Sequence, residues 1–133
     1  IRSALINGHI THEGDGEEIR EYIHAADAAK LSVDIIESLE YINEYIILTG
    51  FEKMKRIDLF RMIKEILQED LKIDLQENSI NHHYQLTPYA FHPAVSKKLI
   101  ANPFIDIGQG IFECIKEVHR LLDEERGKNQ PDK

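Results

Sequence analysis

At 133 residues, 42% of them hydrophobic, the chain is long enough for one domain with its own core and too apolar for a disordered one. A net charge of -8 argues against nucleic acid, whose phosphates need a basic face, although an acidic protein still binds one anion where positive charge is focused. The single Cys114 excludes an internal disulfide framework and fits a reducing cytoplasm, and no stretch approaches the about 20 apolar residues of a membrane span.

Ile1, Leu5 and Ile6 lie close to one helical face that Asn7-Gly8 can stop, so Ile1–Gly8 reads as the end of a helix already under way in a longer chain. His9–His12 comes next as a short strand. His9 and His12 point to opposite faces of it, which places them poorly for sharing a metal ion. Gly14-Asp15-Gly16 is a tight-turn signature. Arg20 comes four residues past the second glycine, and the alternation Glu21-Tyr22-Ile23-His24 reads as a strand. Asp27 stands where an N-cap would open a helix over 28–39, with Ala28, Leu31, Ile35, Ile36 and Leu39 as its core stripe. An arginine in this setting can offer a planar fork of donors to a phosphate or carboxylate; it can equally pair with Glu17, Glu18 or Glu21.

The run Tyr45–Leu48, bounded by Thr49-Gly50, has the pattern of a buried, parallel strand. Phe51–Lys55 reads as a loop and 57–69 as a helix striped by Leu59, Ile63, Ile66 and Leu67, with Phe60 and Met62 on its margins. Lys53, Lys55, Arg56 and Arg61 cluster at its start, as either an anion site or a solubility feature. Leu71–Gln76 alternates like a half-buried strand.

Residues 81–93, NHHYQLTPYAFHP, combine three histidines, three aromatics and two prolines. No cysteine or carboxylate accompanies His82, His83 and His92, and their spacing fits no common zinc site, so the stretch reads better as a ligand-lining loop. Pro93–Ile100 reads as a short helix, broken by Asn102-Pro103. The last helix runs from Ile107 or Gly108 to about Glu125, with Cys114 in its apolar stripe as a core thiol and 126–133 as a polar tail.

The pattern GDG-x-x-x-R-E-Y-I-H-x-x-D over Gly14–Asp27 resembles a segment in the C-terminal part of extended short-chain dehydrogenase/reductases, the NAD-dependent nucleotide-sugar epimerases and dehydratases. The later order also resembles that family. It shows a strand, a glycine turn and a helix over Asp58–Lys64, then Ser96, Lys97 and Leu99-Ile100 in place of an S-K-x-x-L element, with Phe104 and Asp106 as the aromatic and the acid beyond it. The resemblance spans Gly14 to about Leu122. It implies a mixed α/β (α+β) fold of short strands and four to five helices, a small C-terminal lobe over 1–125. It further implies a nucleotide-sugar substrate whose diphosphate meets Arg20.

The family's second arginine, ahead of the S-K-x-x-L element, has no counterpart, because no arginine lies between Arg61 and Arg120. Substitute donors or ligand-lining groups are His82, His83, Gln85, Tyr89 and Lys97. The chain also lacks a G-x-x-G-x-x-G loop, and none of its five tyrosines has a lysine four residues on. It is therefore expected to bind and not to turn over, with NAD held by a Rossmann domain elsewhere in a parent enzyme and no cofactor in this piece. Self-association through surface left by that partner domain is a further expectation. A free-standing interaction module is the competing reading, and a histidine metalloprotein the weakest.

Overall fold

The computed structural model describes residues 1–68, 70–76 and 96–128. In chain order these form α1 (Arg2–Asn7), β1 (His9–Glu13), β2 (Ile19–Glu21), α2 (Ala25–Glu37), a 3₁₀ turn (Leu39–Tyr41), β3 (Ile46–Leu48), β4 (Lys53–Lys55), α3 (Arg56–Leu67), β5 (Lys72–Gln76), β6 (Lys97–Leu99) and α4 (Ile107–Lys128). The fold is mixed α+β, and its strands pair two by two. β1 runs parallel to β5 from His9↔Lys72 to Glu13↔Gln76, β3 runs parallel to β6, and β2 runs antiparallel to β4.

One apolar cluster holds α1, β1, α3 and α4 together: Ala4, Ile10, Ile57, Phe60, Ile63, Leu71, Ile111 and Ile115 are all buried in it. Each large side chain there stabilises the fold by about 1.5–3 kcal/mol. Phe60, expected on the margin of its helix, is in this core. α2 adds only Leu31 and Asp27 to the buried set, and Asp27 ties it to the segment before α4. The buried Asp27 accepts the Ile105 N–H at 2.8 Å, Glu52 accepts the Ile107 N–H at 2.8 Å, and Asp106 accepts the Gln109 N–H at 2.9 Å. Carboxylates from three chain segments thus satisfy the backbone donors at the start of α4, where the helix dipole also favours them.

Several expectations are corrected. The strand before α2 is Ile19–Glu21, earlier than Glu21–His24, because that is where β4, itself expected as loop, supplies the ladder. α2 begins at Ala25, with His24 as N-cap: its ring nitrogen accepts the Ala26 N–H at 3.2 Å, leaving Asp27 free to reach Ile105. α2 ends at Glu37, so Leu39 leaves the helical stripe, and Ile36 sits about 140° around the helix from the buried Leu31. Ile36 and Leu39 are each 83% exposed.

α3 spans Arg56–Leu67, with Gln68 in the left-handed conformation at its end; residue 69 lies outside the described residues. Residues 97–99, expected as helix, are a strand because β3 offers them a parallel partner. β3 itself is only half-buried, with a single partner strand among the described residues, and Tyr45 before it is exposed. Cys114 is exposed, not a core thiol: it lies about 60° off the arc of Ile111, Ile115 and Leu122 that faces inward. α4 continues through Lys128, into the expected tail.

Candidate functional site

The Gly14-Asp15-Gly16 turn is clamped onto the start of α3. Asp15 Oδ1 accepts the Glu17 N–H at 2.9 Å, the Gly16 carbonyl accepts the Ile57 N–H at 2.9 Å, and the Glu18 carbonyl accepts the Arg56 N–H at 3.1 Å. Backbone oxygens of the turn therefore do what a capping side chain does elsewhere, and Lys55, the N-cap residue, makes no side-chain cap. Glycine at 16 is favoured on two counts: φ is +73°, which strains any other residue, and a Cβ would crowd Ile57 Cβ at 3.1 Å. The turn releases the chain into β2, where Arg20 faces Met54 across the ladder. Arg20 is half-buried, and its Nη1 donates to the Ile19 carbonyl at 3.1 Å.

Tyr22 lies two residues on. The Arg56 guanidinium sits 5.9 Å from the centre of its ring, a cation–π distance. Burial pushes the Tyr22 hydroxyl up, and the positive charges of Arg56 and Arg20 pull against that without reversing it. Arg20 and Arg56 thus both act on this one phenol, whose oxygen is buried without a hydrogen-bond partner among the described residues. Glu18 is the counter-charge, 3.5 Å from Arg56 Nε and 3.1 Å from His12 Nε2, both ion-pair contacts out of line for a hydrogen bond. Next to this corner opens a cleft of about 660 Å³, floored by Leu59, Phe60, Ile63 and Ile111 and edged by Tyr22, His24, Arg56 and Glu113. Its size and its apolar floor with a few polar groups are those of small-molecule sites. His24, accepting at Nδ1 from Ala26, is left to donate from Nε2 toward Glu113, 3.4 Å away.

The opposite side of β2 carries a second assembly. The Glu21 side chain is only 6% exposed. Its carboxylate accepts from Thr49 Oγ1 at 2.5 Å and from Lys98 Nζ at 2.8 Å, with Lys53 at 3.4 Å. Burial pushes this carboxyl up, yet the donors Lys98, Thr49 and Lys53 outweigh it and hold it below the usual range. Glu21 thereby ties β2 to the end of β3, to β4 and to β6, beside a cavity of about 410 Å³ lined by residues 46–50.

Of the residues singled out in the sequence, Arg20 stands at the guanidinium corner. Lys97 belongs to β6 opposite Ile46, with Nζ 3.4 Å from Glu44; strand alternation gives its neighbour Lys98 to Glu21. His82, His83, Gln85 and Tyr89, with the rest of 77–95, lie outside the described residues. The basic cluster at α3 is ion-paired throughout: Lys53 with Glu21, Lys55 with Glu17, Arg56 with Glu18 and Arg61 with Asp58. Sequence reasoning missed Glu21, Thr49 and Lys98. A glutamate in a strand with a lysine 77 positions away carries no local signal of burial. His9 Nδ1 lies 3.3 Å from the Asn7 carbonyl, and among the described residues no group of three or more potential metal ligands comes together. No helix among them is long and apolar enough to cross a membrane.

No family model, curated protein or solved structure matches the chain.

Proposed function

We propose that this chain is the substrate-binding part of an NAD-dependent nucleotide-sugar epimerase or dehydratase of the extended short-chain dehydrogenase/reductase type. Arg20 receives the diphosphate, and NAD and hydride transfer belong to a Rossmann domain of the parent enzyme. The observation that carries the reading is the corner itself. The glycine turn, locked on the start of α3, delivers Arg20 into a short strand whose phenol also feels Arg56. Two guanidinium groups gathered at one corner, Arg56 with Glu18 as its counter-charge, give a chain of net charge -8 a local place for an anion that competes with that carboxylate. The adjoining apolar cleft has room for the remainder of such a ligand. Tyr89, His82, His83, Gln85 and Lys97 are proposed to complete the sugar or base side.

The test is calorimetric titration with UDP, dTDP, CDP and GDP, on wild type and on Arg20→Ala. Sub-millimolar binding of one nucleotide to wild type, lost in the variant, is the expected result and names the base. Binding that survives Arg20→Ala unchanged, or silence of all four nucleotides toward the full-length parent, overturns the reading. The latter outcome leaves an interaction module as the alternative.

A further inference from the structure

The C-terminal end of α2 and the turn after it carry apolar side chains on the outside. Val33, Ile36, Leu39, Ile42 and Tyr45 are all more than half exposed, and Ile36 and Leu39 reach 83%. From Ile36 onward they recur every third residue. Leu39 opens the 3₁₀ turn and Ile42 ends it, and residues three apart eclipse one another in that geometry, so the two share a side. Neither the apolar cluster nor any strand ladder uses Ile36, Leu39 or Ile42. Scattered exposed apolar residues are ordinary on a protein surface; five within thirteen consecutive positions mark a contact surface.

The charge around this ridge is one-sided. Residues 31–45 contain Asp34, Glu37, Glu40 and Glu44 and no lysine or arginine. Asp34 pairs with Lys30 and Glu44 with Lys97, whereas Glu37 and Glu40 have no ion pair among the described residues. The rim decides among possible occupants. A second copy docked ridge to ridge brings acids against acids, and an anionic lipid surface is repelled for the same reason. A segment with an apolar stripe flanked by lysines or arginines satisfies both the ridge and its border.

We propose that this ridge docks a cationic amphipathic helix of a protein partner, with Ile36 and Leu39 as the central anchors and Glu37 and Glu40 as the charges that select it. The surface is built from residues other than the guanidinium corner and stands independently of the ligand bound there.

The probe is a helical peptide of leucines on one face and lysines on the other, with a glutamate-for-lysine analogue as control, titrated against the 133-residue chain by fluorescence anisotropy. Wild type is expected to bind the lysine peptide and not the glutamate one, more weakly as salt rises. Ile36→Asp with Leu39→Asp is expected to weaken binding at least tenfold, and Glu37→Lys with Glu40→Lys similarly, with unchanged circular dichroism in both because these side chains are outside the core. Glu65→Lys with Asp74→Lys makes the same change in net charge away from the ridge and is expected to stay within about twofold of wild type. Equal loss in that control, or undiminished binding by the Asp variant, overturns the proposal. So does a wild-type dimer in sedimentation that Leu39→Asp dissolves, because the occupant is then a second copy.

Discussion

Gly50 sits where two chain segments touch backbone to backbone. A methyl group built on it would stand 1.4 Å from the Tyr22 carbonyl oxygen, 2.5 Å from the Tyr22 carbonyl carbon and 3.2 Å from the Ile23 nitrogen. The obstacle is main chain, so no side chain can swing aside. Restoring an ordinary contact near 3.4 Å requires the Tyr22 peptide to retreat by about 2 Å. That movement pulls on β2 one residue upstream and on the Thr49–Glu21 hydrogen bond one residue from Gly50. Overpacking of a well-filled core costs about 1–3 kcal/mol, and here a charge-assisted hydrogen bond worth about 1.5–3 kcal/mol is stretched as well. Gly50→Ala is therefore expected to lose about 3–5 kcal/mol, a large part of the roughly 5–15 kcal/mol of a whole domain.

In a thermal melt followed by circular dichroism this corresponds to a Tm lower by about 10–20 °C. The matched control is Gly127→Ala, a helical position where a Cβ meets nothing within 4 Å. There the same substitution falls in the last turn of α4 and is expected to change stability by no more than about 0.5–1 kcal/mol. If Gly50→Ala melts within about 2 °C of wild type, the close approach of the 22–23 and 49–50 segments is wrong, and with it the placement of β2 against β3.

Two more outcomes rest on the polar structure. Against the upward push of burial, Lys98, Thr49 and Lys53 hold the Glu21 carboxyl below its usual range. The stability it contributes is therefore fully present above its unfolded pKa and is lost as pH falls through the lowered folded one. Glu21→Gln should accordingly lower stability at pH 7 by about 3 kcal/mol, because Lys98 is left without its carboxylate, and should make the acid limb of a urea-midpoint titration shallower; an unchanged limb contradicts the assignment. Cys114 is exposed on α4, so a thiol reagent should modify it completely without denaturant, and protection until unfolding would return it to the core.

The helices were largely legible. Apolar residues at i, i+3, i+4 and i+7 over Leu59–Leu67 and Ile111–Leu122 gave α3 and α4 within a few residues, because a helix packs one continuous stripe. β1, β3 and β5 were legible as strands from alternation or an unbroken apolar run, yet nothing local states that β1 lies parallel to β5 across some sixty residues. β6 was misread because Ser96-Lys97-Lys98-Leu99 is neutral between helix and strand and takes its form from β3. His24 and Asp27 are both able to cap α2, and the choice rests on Ile105, 78 positions away from the aspartate, whose N–H claims it. At the candidate site, Arg20 stood out through the family resemblance of Gly14–Asp27, because by residue pattern alone it could equally pair with Glu17, Glu18 or Glu21. The partners that define its surroundings (Arg56 over Tyr22, Lys98 on Glu21) are long-range and left no mark on spacing.

The two parallel ladders set a timetable for a chain leaving the ribosome. Among the described residues β3 pairs with β6, which is made roughly fifty residues later, and at about 5–20 residues per second that is a wait of several seconds. β1 waits longer still for β5, and the start of α4 is fixed only once Asp27 and Glu52, both made long before, can reach it. Through that interval the apolar Ile46-Ile47-Leu48 strand lacks the ladder partner it has among the described residues, and such an unpaired strand is a template for pairing with a neighbouring nascent chain. Translation products stopped after residue 48 and short of residue 97 are thus expected to aggregate more readily than the full chain, and slowing synthesis to lengthen the hazard instead of relieving it.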